Sequence, residues 1–312
     1  MNNVILEDET LRDGLQFEKM VLSLEQKVTL FNLLVDAGVK RIQVGSFVHP
    51  KIVPQMADTE EFIHLTLKTP GVLITGLILN EKGLERALRS GLHHVSMSVS
   101  ASDTHSRKNA NVSAADALVA MTGLIRRATN AGLSVRAGVQ CAFGCVYEGE
   151  IPEDRVLSML NAMASSGAKE LNLADTTGMA NPKQVRRMVQ RVKEALPDQD
   201  LSLHLHDTRA LGLANMFAGY EVGVRIFDVA TGGLGGCPFV KGATGNVPTE
   251  DAVNMFSQIG VEVGIDLKKL CRVVSKLEET VGRRLPGRMC TVLKSTGACG
   301  NETSTQGDIA PR

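Results

Sequence analysis

The chain has 312 residues, 43% of them hydrophobic, and its 34 basic and 34 acidic residues give a formal net charge of zero. This length fits one α/β barrel with a short extension, and the composition allows a large buried core. No cluster of lysine and arginine is long enough to suggest a surface that follows phosphates, so we expect no nucleic-acid partner.

The N-terminal segment MNNVILEDETLRDG has neither a basic region nor an apolar region of the kind found in signal peptides. No apolar run approaches the roughly 18–20 residues needed to span a bilayer. We therefore expect a cytoplasmic protein with no membrane partner. The six cysteines are scattered along the chain, which predicts reduced thiols rather than a disulfide framework.

Short β-branched runs recur along the chain and predict eight strands. They are Val4–Leu6, Arg41–Val44, Val72–Leu79, His94–Val99, Ser134–Gln140, Glu170–Leu173, Leu201–His206 and Arg225–Val229. The stretches between them carry apolar residues at helical spacing. They are Ser23–Asp36, a segment within Thr59–Thr69, Glu81–Ser90, Ser113–Ala131, Glu153–Ser166, Pro182–Leu196 and Ala210–Val222.

This alternation of strands and helices predicts a parallel sheet, and eight units favour closure into a (β/α)8 TIM barrel. No glycine-rich loop follows the first strand, so a dinucleotide-binding sheet is disfavoured. Two more helices are predicted near Glu250–Gln258 and Leu267–Val281. We expect residues 1–285 to form the catalytic barrel and residues 286–312 a C-terminal helical extension, partly mobile because its last dozen residues are polar.

The active site of such a barrel forms at the carboxyl ends of the strands. Arg12 and Asp13 follow the first strand, where an arginine can stabilise an enolate and an aspartate can bind a metal. His204 and His206 end the seventh strand, and strand alternation turns both to the same side. Two inward imidazoles at a barrel mouth are typical of metal ligands.

Two further segments carry candidate residues. Asp175 follows the sixth strand. At this position it could be a metal ligand, a partner of a ligand or a base, or it could simply cap a turn. The glycine-rich segment GGLGGCPFVKGATGN follows the eighth strand, contains Cys237 and ends at Asn246. A cysteine on a loop that closes over the barrel mouth could deliver a proton. A carboxylate, two imidazoles and an amide oxygen suit Mg²⁺ or Mn²⁺, with Zn²⁺ or Co²⁺ as alternatives.

These segments together resemble the hydroxymethylglutaryl-CoA lyase family. The matching motifs run from the first strand to the eighth: RDGLQ from Arg12, SF…PK…VPQM from Ser46, FGC…YEG from Phe143, DT…G from Asp175, HLHDT from His204 and GGCPF…KGATGN from Gly235. The resemblance implies metal-dependent retro-Claisen cleavage of an acyl-CoA or hydroxy-acid substrate by a homodimer. It also implies four metal ligands, Asp13, His204, His206 and Asn246.

The resemblance further implies that Arg12 stabilises the enolate, that Cys237 protonates the carbanion and that Asp175 assists proton transfer or ligand positioning. One departure concerns Gln43, which stands where the family has a glutamate at the end of strand two. An amide cannot hold a negative charge or take a proton, so we expect a changed rate or substrate. Two alternatives remain: a Claisen-type synthase that joins acetyl-CoA to a 2-oxo acid, and a non-catalytic binder.

Overall fold

A computed structural model describes residues 4–236 and 245–297. Within these ranges eight parallel strands close into a barrel, each pairing with the next in chain order and the last pairing with the first. The strands are β1 (Ile5–Asp8), β2 (Arg41–Ser46), β3 (Leu73–Leu77), β4 (His94–Ser100), β5 (Ser134–Gln140), β6 (Glu170–Ala174), β7 (Asp200–His204) and β8 (Ile226–Val229). The predicted (β/α)8 barrel is therefore confirmed.

Helices lie between the strands in the chain, and three more α-helices in the described ranges follow the last strand. They are α1 (Leu24–Asp36), α2 (Thr59–Thr66), α3 (Glu81–Ser90), α4 (Asp103–Ala110), α5 (Ala114–Asn130), α6 (Glu153–Ala164), α7 (Pro182–Ala195), α8 (Gly212–Glu221), α9 (Thr249–Gln258), α10 (Leu267–Val281) and α11 (Met289–Ser295). Ser23 caps α1 together with Gln26 in a capping box, as their spacing predicts.

Several local features differ from the prediction; β3, for example, spans Leu73–Leu77 rather than Val72–Leu79. Strand β7 ends at His204 rather than His206, because His206 leaves the barrel sheet and forms an isolated antiparallel bridge with Asn246. The short helix α4 was not predicted; it begins after Ser102, whose side chain accepts a hydrogen bond from the His105 amide. None of the helices in the described ranges is long and apolar enough to cross a membrane.

The interior of the barrel carries an ion network where such barrels are ordinarily filled by branched apolar side chains. Arg41 contacts Glu7 at 2.6 Å and Glu170 at 2.8 Å. Arg136 contacts the same two carboxylates at 2.6 and 3.3 Å and also pairs with Asp228. All five side chains are buried, so the charges compensate one another away from water. The network connects the barrel centre to β8, next to the predicted metal ligands.

The C-terminal helices are tied to the barrel by specific contacts. The Asp251 carboxylate in α9 accepts hydrogen bonds from the backbone amides of Arg288 and Met289, at the start of α11. Cys271 in α10 and Cys290 in α11 form a disulfide. The prediction of reduced thiols is wrong for this pair, because folding brings together two cysteines that lie 19 residues apart in sequence. The rest of the predicted extension, residues 298–312, lies outside the described residues.

Candidate active site and metal centre

A cavity of about 220 Å³ opens at the carboxyl ends of the strands. It is lined by several of the predicted site residues: Arg12, Asp13, Gln43, His204 and His206. Ser96, Ser98, Gln140 and Asn172 line other parts of its wall. The structure therefore brings residues from strands one, two and seven into one pocket, at the end of the barrel where catalysis occurs in this fold.

Asp13, His204 and His206 form a cluster of potential metal ligands. Each offers one ligand atom, and these atoms lie within 4.8 Å of one another. The two imidazole Nε2 atoms are 3.0 Å apart. That spacing fits two nitrogens which share a proton, and a divalent cation would replace that proton. The donor set of one carboxylate and two imidazoles matches the prediction for this end of the barrel.

Asn246 supplies a fourth potential ligand. Its amide nitrogen donates to Asp13 Oδ2 at 2.8 Å and to the Leu234 carbonyl at 3.0 Å. Its amide oxygen is buried and has no hydrogen-bond partner among the described residues. A buried carbonyl oxygen without a partner is costly, and a bound cation would satisfy it. The residues present therefore fit a divalent metal.

Gly235 lies close to the side chains of Asn246 and Asp13. Its φ angle of +113° belongs to a region that side chains with a Cβ rarely adopt. A Cβ on Gly235 would lie 2.5 Å from Asn246 Nδ2 and 3.2 Å from Asp13 Oδ2. A side chain at this position would therefore strain the backbone and disturb the contact between Asn246 and Asp13.

The Nδ1 atom of His204, which faces away from His206, lies close to two carboxylates. Nδ1 lies 3.1 Å from Asp228 Oδ2 and 3.5 Å from Glu9 Oε2. Although burial disfavours the protonated ring, these carboxylates raise the pKa of His204 to about 10. By contrast, burial and the neighbouring His204 charge lower the pKa of His206 to about 4. One imidazole is therefore charged and the other neutral when no metal is bound.

Glu9, His204 and Asp228 also lie within 4.8 Å of one another, as a second metal centre would require. Arginines already neutralise its carboxylates: Arg12 contacts Glu9 at 2.5 Å, and Arg136 pairs with Asp228. A second cation would have to displace these guanidinium groups. We therefore interpret this cluster as the support for His204, in the pattern by which a carboxylate orients a metal-binding histidine.

Arg12 makes three polar contacts inside the pocket. Its Nη2 donates to Glu9 Oε2 at 2.5 Å, its Nη1 to Asp13 Oδ1 and its Nε to Gln43 Oε1. Burial disfavours the charge, but Glu9 and Asp13 outweigh burial and raise the pKa of Arg12 above its ordinary value. Gln43 in turn donates from Nε2 to Ser96 Oγ at 3.2 Å. The guanidinium is permanently charged and fixed in direction.

Asp175 lies behind the pocket rather than in it. Its Oδ1 accepts hydrogen bonds from the backbone amides of Met179 and Ala180 at 2.8 and 3.1 Å. Burial raises the pKa of Asp175 to about 6. Its neighbours Ala174 and Thr176 line the cavity, whereas Asp175 is absent from the lining. Oδ1 thus caps a turn, while Oδ2 is buried and has no hydrogen-bond partner among the described residues.

Cys237, the predicted proton donor, lies outside the described residues. Gly236, which precedes it in the chain, lines the cavity. Cys141 and Cys145 are free and buried. Burial raises the pKa of Cys141 beyond the ordinary range of a thiol, so it is not an activated nucleophile.

A family model described as HMGL-like matches residues 3–277 of the chain. The chain belongs to this family. The hydroxymethylglutaryl-CoA lyase of Bacillus subtilis is 38% identical over 285 residues, which cover 91% of this chain and 95% of that protein. The (R)-citramalyl-CoA lyase of Chloroflexus aurantiacus is 40% identical over 296 residues, covering 92% of this chain and 93% of that protein.

Solved structures of the HMGL-like family show the same barrel. The Bacillus subtilis HMG-CoA lyase superposes with a TM-score of 0.90 at 37% identity, covering 94% of this chain and 99% of that one. The Acinetobacter baumannii HMG-CoA lyase, solved in complex with coenzyme A and 3-methylmalate, has a TM-score of 0.87 at 37% identity. It covers 99% of this chain and 98% of that chain. Pyruvate carboxylase domains at 16% identity share only the fold.

Sequence reasoning missed two residues of the site, Glu9 and Asp228. Glu9 follows β1 directly, in the same segment as Arg12 and Asp13. Asp228 lies inside β8, a run that is otherwise apolar apart from this residue. An acidic residue inside a buried strand is the signal that could have found it, because such a charge requires a partner.

Proposed function

We propose that the protein is a divalent-metal-dependent carbon–carbon lyase that cleaves hydroxymethylglutaryl-CoA or a related 3-hydroxy-acyl-CoA to acetyl-CoA and an oxo acid. The observation that carries the proposal is the cluster of Asp13, His204 and His206 beside the fixed guanidinium of Arg12. Relatives with high coverage are named as lyases of such thioesters. No feature of the described residues favours the Claisen-type synthase.

Asp13, His204, His206 and Asn246 would hold the metal. When bound, Mg²⁺ or Mn²⁺ supplies Lewis-acid polarisation of the substrate hydroxyl and carbonyl oxygens. Two imidazoles with two oxygen donors leave room for substrate oxygens, and the same set would also accept Zn²⁺ or Co²⁺. His204 would lose its shared proton on metal binding while Asp228 retains the hydrogen bond to Nδ1.

Arg12 would act where negative charge develops. Cleavage of the carbon–carbon bond leaves the acetyl-CoA fragment as an enolate, and the charge gathers on the thioester oxygen. A buried guanidinium already aimed into the pocket stabilises that charge without reorganising in the reaction step. This is the largest contribution to rate that we assign to a single side chain.

As the carbon–carbon bond breaks, the substrate hydroxyl loses its proton and becomes the carbonyl of the oxo acid, and the departing acetyl-CoA carbanion must then gain a proton. We propose that Cys237 delivers the proton to the departing carbanion, as the resemblance implies. Asp175 would contribute positioning rather than proton transfer, because its Oδ1 accepts from the backbone of residues 179 and 180 and its side chain does not line the cavity. A homodimer and a cytoplasmic location stay predictions.

The neutral Gln43 favours a second candidate within the same reaction class. The family glutamate would repel a substrate carboxylate at this position, whereas an amide can donate a hydrogen bond to it. Citramalyl-CoA carries its carboxylate directly on the hydroxyl-bearing carbon, so its acid group lies closer to the reacting atoms than that of hydroxymethylglutaryl-CoA. The 40% identity to the (R)-citramalyl-CoA lyase is consistent with this candidate.

One assay tests both candidates. The purified protein, loaded with Mg²⁺ or Mn²⁺, is incubated with each thioester, and acetyl-CoA is measured together with acetoacetate or pyruvate. Turnover that EDTA abolishes supports the lyase, and the second product identifies the substrate. Absence of turnover with both thioesters, from folded and metal-loaded protein, contradicts the proposal and favours the non-catalytic binder. The Gln43→Glu variant should shift preference toward hydroxymethylglutaryl-CoA; an unchanged preference would exclude a role for Gln43 in substrate choice.

A further inference from the structure

Besides the neighbouring Asp13, Arg12 contacts one carboxylate that follows β1 and one amide in β2. Glu9 at the end of β1 accepts from Nη2 at 2.5 Å, while Gln43 in β2 accepts from Nε and donates onward to Ser96. Both Glu9 and Gln43 are buried, and both line the cavity. Thus a carboxylate is present beside the guanidinium even though strand two supplies only an amide.

The contact between Asp13 and Arg12 would weaken when a metal binds. Asp13 contacts Arg12 Nη1, but it also belongs to the cluster that would hold the metal. Burial disfavours its charge, yet Arg12 and the two histidines outweigh burial and lower the pKa of Asp13. A carboxylate shared between a cation and a guanidinium binds the latter less firmly. Glu9 is the remaining carboxylate in direct contact with Arg12 among the described residues.

We propose that Glu9 is the positioning residue for Arg12 and replaces, from strand one, the carboxylate that the family supplies from strand two. This inference rests on the proposed lyase function. Glu9 would fix the direction of the guanidinium toward the developing enolate while Gln43 holds its other edge. Charge-assisted hydrogen bonds are about twice as strong as neutral ones, so the carboxylate side dominates the orientation.

The contact between Glu9 and His204 Nδ1, at 3.5 Å, gives the same residue a second role in the site. Through it the enolate-stabilising arginine and a metal-ligand histidine share one buried carboxylate. A small displacement of Glu9 would therefore shift Arg12 relative to the metal ligands. Positioning of this kind affects the transition state more than substrate binding.

The test is a reciprocal exchange of the two side chains. Glu9→Gln is expected to lower kcat at least about tenfold with little change in KM, measured at saturating metal, because the charge-assisted bond to Arg12 becomes a neutral one. The double variant Glu9→Gln with Gln43→Glu restores one carboxylate and one amide around Arg12. It is expected to recover most of the lost kcat.

Gln140 provides the matched control. It also lines the cavity, but its amide donates to Ser98 Oγ at 3.0 Å, and it has no hydrogen bond to Arg12 in the described ranges. Glu9→Gln with Gln140→Glu places a carboxylate in the same cavity without contact to Arg12 and should not recover activity. Equal recovery by both double variants would overturn the proposal, as would wild-type kcat in Glu9→Gln.

Crystal structures of the wild type and of Glu9→Gln give a readout independent of turnover. The proposal expects the Arg12 guanidinium to rotate away from the pocket centre in the single variant and to return in the reciprocal double variant. An unmoved Arg12 overturns it. If the wild type cleaves neither thioester, the lyase proposal fails, and the position of Arg12 in these structures still decides the role of Glu9.

Discussion

His204 Nδ1 lies 3.1 Å from Asp228 Oδ2, and Asp228 is itself paired with Arg136 in the buried network of the barrel. This candidate metal ligand is therefore anchored in the interior of the barrel rather than in a surface loop. With Nδ1 engaged, Nε2 is the nitrogen left to bind a cation. The contacts from Arg136 through Asp228 therefore fix the orientation of the His204 ring in the candidate metal centre.

Asp228→Asn is expected to weaken Mn²⁺ binding by about 10- to 100-fold, because an amide holds the imidazole less firmly and lowers its basicity. Isothermal titration calorimetry with MnCl₂ measures the change. Glu170→Gln is the matched control, since it removes a carboxylate from the same Arg136 without contact to His204 in the described residues. An equal loss of affinity in both variants would mean that disruption of the network, not the bond to His204, is responsible.

Arg12→Lys is expected to lower kcat by about 100- to 1,000-fold while the protein still binds Mn²⁺. A lysine keeps the charge but cannot contact Glu9 and Gln43 at once, as the planar guanidinium does. Steady-state kinetics with the better thioester gives the change in kcat and KM separately. A variant with raised KM and unchanged kcat would show that Arg12 binds substrate and does not stabilise the enolate.

Much of the fold could be predicted because the spacing of apolar residues within each β/α unit indicates its strand and its helix. The order of strands and most helices follow from periodicity. Glycines between a helix and the next strand have the positive φ angles that end a helix, among them Gly38, Gly91, Gly132, Gly167 and Gly223. The inward phase of His204 and His206 followed from alternation, although β7 ends at His204 and the bridge to Asn246 orients His206 instead.

The remaining features depend on contacts between distant parts of the chain. The Glu7–Arg136 pair spans 129 residues, and no local pattern indicates which acid meets which arginine. The same holds for Asp228 beside His204 and for the Cys271–Cys290 disulfide between two helices. Asp175 shows the opposite case: its position after a strand suggested chemistry, whereas its Oδ1 accepts from backbone amides only four and five residues further along the chain.

Gly235→Ala is expected to weaken Mn²⁺ binding at least about tenfold, because the new Cβ would lie 2.5 Å from Asn246 Nδ2 on a backbone with φ of +113°. Either the loop or the Asn246 side chain must move, and both changes displace a ligand. Gly236→Ala is the matched control, since a Cβ there meets nothing within 4 Å of the described atoms. Calorimetry should find its affinity within about twofold of the wild type; a comparable loss in both variants would contradict the steric explanation.

Glu250 links stability to pH. Its Oε2 accepts from the Gly232 amide at 2.9 Å, and burial raises the pKa of Glu250 to about 8. The folded protein then binds this proton more tightly than the unfolded chain, so stability is retained below the unfolded pKa and falls as pH rises through about 8.

Glu250→Gln removes this dependence because an amide stays neutral. Between pH 6 and pH 9 the free energy of unfolding of the variant, relative to the wild type, should rise on the order of 2 kcal/mol. Urea denaturation at both pH values measures it. Glu262→Gln, at an exposed position, is the control and should change little with pH. A parallel pH dependence in wild type and Glu250→Gln would show that Glu250 is ionised in the folded protein at neutral pH.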